Sequence, residues 1–153
     1  MWYDFLFEVV GSDLFCTVIG GVLVFVASQL LLELLIKPII EYRKTISKIK
    51  YTLEYYADVI SNPMIISNDN QKEGFEIFVK SKHFLASEEL RKLGCEITTF
   101  AFKKKRNRKI SEGLIYLSNS MWHYKGSVPI KEERNSIQLQ KLRNLVYKKN
   151  NML

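Results

Sequence analysis

Apolar residues dominate one stretch of this chain. Leu14 to Ile36 reads LFCTVIGGVLVFVASQLLLELLI, and Leu14 to Leu32 is a run of 19 residues without a charge. As a helix the 23-residue stretch covers about 34 Å, enough to cross a hydrocarbon core of about 30 Å. A bilayer offers no partners to backbone groups, so an isolated apolar segment must be helical there. The pattern therefore predicts a transmembrane helix over 14–36. A core helix would need a globular partner able to surround it, and the remaining chain is mostly amphipathic. A cleaved signal peptide would need a basic leading region. Residues 1–13, MWYDFLFEVVGSD, hold three acids and no Lys or Arg. They read as a short extracytoplasmic N-terminus. Trp2 and Tyr3 suit the interface, and Phe5 to Val10 could add an interfacial turn of helix.

Beyond the span the periodicity becomes helical. Pro38 should kink or restart the helix. Ile39, Tyr42, Ile46, Ile49, Leu53, Tyr56 and Ile60 recur at three- and four-residue spacing, and Asn62-Pro63 ends that helix. Residues 64–70 read as a loop. Asn70 with Glu73 resembles a capping box opening a second helix from about Gln71 to Phe102. A third is expected from about Ser111 to Tyr124. Gly126 to Pro129 is a turn, and a fourth helix runs to about Tyr147. No segment sustains period-2 alternation. The expected fold class is all-α: one N-terminal transmembrane helix followed by a small cytoplasmic helical bundle over 37–153.

Charge adds orientation. All 23 Lys and Arg stand at or after Lys37; before it are only Asp4, Glu8, Asp13 and Glu33. The positive-inside rule places the C-terminus in the cytoplasm and the N-terminus outside. Within the span Gln29 and Glu33 lie four residues apart, on one helix face. They are either a span interface between copies or one tolerated amide and one snorkelling acid. Cys16/Gly20 and Thr17/Gly21 form small-xxx-small pairs that would permit close helix contact.

The remaining candidates are basic. Lys103, Lys104, Lys105, Arg106, Arg108 and Lys109 make six cations in seven residues, and Lys141, Arg143, Lys148 and Lys149 add a second group. The run is either a solvated interhelix turn or a contact for anionic lipid, where each cation contributes about 1 kcal/mol. Nucleic-acid phosphates would suit it too, but no motif with base-stacking aromatics accompanies it. Cys95 reads as a half-buried core thiol. His83 and His123 lack metal-ligand spacing, and Glu88 and Glu89 are adjacent rather than paired across a site. These observations predict no enzyme, no cofactor, no metal and no small-molecule substrate. The bilayer and either self-association or a protein partner are the expected contacts.

The segments KPIIEYRKTISKIKYTLEYYADVISNP (Lys37 to Pro63), SEELRKLGCEI (Ser87 to Ile97) and GLIYLSNSMW (Gly113 to Trp122) resemble a family of small bacterial membrane proteins with one span and a helical cytoplasmic domain. The layout is similar to that of membrane effectors in antiphage systems, retrons among them. The resemblance implies residence in the bacterial inner membrane. It also implies a membrane-perturbing effector; the alternative reading of the same architecture is a membrane-tethered adaptor that docks a protein through its cytoplasmic helices.

Overall fold

The computed structural model describes residues 2–3, 13–66, 71–124 and 128–148. The expectations for Phe5 to Val10, for Asn70 as a cap, for the turn at Gly126 and Ser127, for the side chain of His123 and for Lys149 fall outside what it describes. The fold is all-α. Its elements are α1 (Asp13–Leu31), a π-helical turn (Leu32–Ile36), α2 (Lys37–Tyr55), α3 (Ala57–Ser61), β1 (Met64–Ile66), α4 (Gln71–Val79), α5 (Lys82–Thr98), α6 (Lys104–Asn119), β2 (Trp122–Tyr124) and α7 (Val128–Tyr147). The chain divides into two compact units, Met1–Glu41 and Tyr42–Leu153.

In the first unit Pro38 does not restart the helix. Helical structure continues from Phe15 to Tyr55. The change falls just before the proline, where the Lys37 N–H bonds to the Leu32 carbonyl, five residues back. Proline lacks an N–H and its ring crowds the carbonyl four residues back. A wider π turn there is one way for a helix to absorb that misfit without ending.

The second unit is a helical bundle around one core. Ile49 and Leu53 of α2, Leu90, Leu93 and Ile97 of α5, Ile110, Leu114 and Leu117 of α6, and Leu142 of α7 are almost wholly buried. Gly94 lets α5 lie close to α6: a Cβ there would sit 3.2 Å from Ile115 Cγ1 and 3.4 Å from the Ser111 carbonyl oxygen. Gly113 is tighter, since a Cβ would fall 2.6 Å from Leu142 Cδ2 on α7.

Several boundaries differ from the periodic reading. The expected helix from Gln71 to Phe102 is two helices. Ser81 is extended, and its N–H and hydroxyl both donate to the Phe78 carbonyl, at 2.9 and 2.6 Å. The second of the two ends at Thr98, leaving Phe100 and Phe102 to pack edge-on against Tyr42, with centroids at 5.3 and 4.7 Å. The third helix begins at Lys104 rather than Ser111, about two turns earlier. The basic run is therefore mostly helix and not an interhelix turn. That helix also stops at Asn119, short of Tyr124. Trp122–Tyr124 instead pairs in parallel with Met64–Ile66, Met64 opposite Trp122. Three residues are too few for an alternating pattern to register in sequence.

Candidate functional site

The apolar helix has no protein cover among the described residues. None of its most apolar window is buried, and Val18, Ile19, Leu23, Val24 and Phe25 are all exposed. They lie around the helix rather than along one stripe. A helix apolar all round belongs either in a protein core or in lipid. Here the first is absent among the described residues, and the helix is long and apolar enough for the second.

Its polar side chains are mostly satisfied by their own helix. The Thr17 hydroxyl donates to the Asp13 carbonyl and the Ser28 hydroxyl to the Val24 carbonyl, both at 2.7 Å. Such back-bonds let a hydroxyl sit in hydrocarbon without another chain. Glu33 accepts from Lys37 Nζ at 3.0 Å, four residues on, with both side chains about half exposed. Of the two predicted interface residues, Glu33 is thus neutralised within the helix. Gln29 is exposed and makes no side-chain hydrogen bond among the described residues. A Cβ on Gly20 or Gly21 would meet nothing within 4 Å, so that surface is open to a neighbouring helix.

The basic run does not present six equivalent cations. Arg106 turns inward, and its Nη2 donates to the Leu145 carbonyl of α7 at 2.9 Å. Lys103 is half-buried in the left-handed backbone region, φ 55°, at the head of α6. Burial lowers its ammonium pKa, and the Arg106 charge lowers it further. Arg108 pairs with Glu112 at 3.4 Å on an exposed surface. Lys104, Lys105 and Lys109 point into solvent with no acidic partner among the described residues. Asn107, in the middle of the run, is buried and structural. It accepts from the Tyr42 hydroxyl at 3.2 Å and donates to the Phe102 carbonyl at 2.9 Å. Burial raises the Tyr42 pKa, partly offset by Arg106.

The second basic group is also thinner than the sequence implies. Arg143 is held by Glu54 at 2.7 Å, and the Tyr147 hydroxyl donates to the same carboxylate at 3.1 Å. Lys50 sits over the Tyr147 ring, 4.9 Å from its centroid. Sequence offered no route to this cluster, because its members come from distant helices. Cys95 is exposed, which corrects the half-buried reading. His83 Nε2 lies 2.9 Å from the Asn62 carbonyl, and no metal-sized group of ligands occurs among the described residues. Compared with protein families, with characterised proteins and with solved structures, the chain matches none.

Proposed function

We propose that this chain is a single-span protein of the bacterial inner membrane, with its N-terminus outside and its helical domain in the cytoplasm. The observation that carries the reading is the uncovered apolar helix, Phe15 onward, followed by every basic residue of the chain. An exposed helix of this kind is costly in water and favourable in lipid. The cations after Lys37 supply the orientation. Alkaline extraction of membranes tests the insertion. The protein stays in the pellet if the span is integral, and release into the supernatant refutes it.

Within that anchored class the working reading is a membrane-perturbing effector of an antiphage system, in keeping with the retron-like layout. The open surface at Gly20 and Gly21 and the unpartnered amide of Gln29 favour pairing of spans. Overproduction without any restraining partner should depolarise cells and arrest growth. The adaptor reading is favoured by Glu33, which Lys37 already satisfies, leaving a span that needs no second copy for its acid. Harmless overproduction at full abundance would sink the effector reading and favour the adaptor.

A further inference from the structure

One groove of the bundle combines features that neither the span nor the basic run explains. It has a volume of about 560 Å³, within the usual range for small-molecule sites. Along its length runs a single face of α5: Phe84, Ser87, Glu88, Arg91, Lys92 and Cys95, at offsets that align on one side of a helix. The end of α6 and Trp122 of β2 supply the opposite wall.

The two ends of the groove differ chemically. At one end are aromatic rings: Phe84 stands edge-on to Phe78 with centroids 5.8 Å apart, and Trp122 is 5.9 Å from Phe78. Phe84 and Trp122 are only partly covered. Further along are two exposed cations. Arg91 Nη2 donates to the Asn119 side-chain oxygen at 2.8 Å, a neutral partner that fixes the guanidinium beside the groove without cancelling its charge. Lys92 has no acidic partner among the described residues. Glu88 contributes a carboxylate between the aromatic end and the cations. Ser87 is occupied, donating to the Ser118 carbonyl at 2.9 Å.

We propose that this groove binds a nucleoside monophosphate. The rings offer a stacking surface for a base, which every base can use. Arg91 and Lys92 match the phosphate in charge and hydrogen-bonding capacity. Glu88 accepts from ribose hydroxyls and, as one negative charge beside two positive ones, disfavours a longer polyphosphate. The proposal is one of binding and assigns no reaction to the groove. The site lies within Tyr42–Leu153, so the proposal stands apart from the membrane reading.

The test uses the full chain in detergent, carrying Trp2→Phe so that Trp122 is the only indole. Its fluorescence is titrated with the monophosphates of adenosine, guanosine, cytidine and uridine, and with adenosine and inorganic phosphate alone. Saturable quenching by at least one monophosphate is expected with a Kd below about 1 mM, at least about tenfold tighter than adenosine or phosphate. Lys92→Gln should weaken it about tenfold, and adding salt should weaken it further, with the helical circular dichroism unchanged. Lys92 is exposed, so its replacement leaves the core intact. No saturable response to any of the four overturns the proposal. So does equal binding of nucleotide and nucleoside, or an unaltered Kd in Lys92→Gln.

Discussion

Buried polar contacts separate the residues that hold the bundle from those free to meet a partner. Tyr42, Asn107 and the Phe102 carbonyl form a chain of hydrogen bonds inside the core. Tyr42→Phe keeps the ring but deprives the buried Asn107 oxygen of its donor, so it should cost about 1–3 kcal/mol in denaturant unfolding. The same hydroxyl gives a pH signature. Its folded pKa is raised by burial. Its contribution is therefore full below the unfolded tyrosine value and is lost as pH rises through the folded one. Stability should fall as pH climbs past about 10, and less steeply in Tyr42→Phe. Equal alkaline slopes in the two proteins would contradict this account. Arg106 behaves likewise as a structural residue despite its place in a basic run. Arg106→Gln removes the bond to the Leu145 carbonyl and should lower stability, whereas Lys104→Gln should not.

At the scale of elements, close packing of α6 against its neighbours sets the tolerance to change. Gly113→Ala places a methyl 2.6 Å from Leu142 Cδ2 and 2.8 Å from its Cγ, so the Leu142 side chain or the α6–α7 contact must shift. Overpacking of that sort costs about 1–3 kcal/mol, readable as a shifted thermal midpoint. Gly94→Ala, with its nearest atom at 3.2 Å on a side chain, should cost less. Much of this architecture was legible in the sequence. The three- and four-residue spacing of Ile49, Leu53, Leu90, Leu93, Leu114 and Leu117 locates the core faces correctly. The start of α6 was not legible, because Lys104 to Lys109 offer no apolar stripe and the one buried residue among them is Asn107. Polar residues that pack inward are silent in a hydropathy pattern. The fine structure of the basic run was hidden for the same reason. A count of cations says nothing of which guanidinium turns into the core. The groove's polar stripe on α5 is visible as spacing, but Trp122 reaches it only through the parallel strand pair.

That division predicts how the run meets a membrane. If the run contacts anionic headgroups, Lys104, Lys105 and Lys109 are its exposed cations without an acidic partner among the described residues, and each should contribute about 1 kcal/mol near the surface. Replacing these three by Gln should abolish salt-sensitive binding of the isolated Tyr42–Leu153 unit to anionic vesicles while leaving its thermal stability intact. Equal binding to neutral and anionic vesicles would remove the electrostatic account.

For the whole molecule the central claim is an integral span with the bundle on the cytoplasmic side. The formal net charge is +7, and no basic residue precedes the span. With Lys37, Arg43, Lys44, Lys48 and Lys50 close behind an apolar helix that has no cover among the described residues, one orientation agrees with the positive-inside rule. The chain carries its own probe of this, because Cys95 is an exposed free thiol. With Cys16→Ser, Cys95 is the only thiol, and a membrane-impermeant maleimide reports which side it occupies. The account predicts that spheroplasts protect Cys95 and that everted inner-membrane vesicles expose it to rapid labelling. Labelling in intact spheroplasts, with protection in everted vesicles, would contradict it.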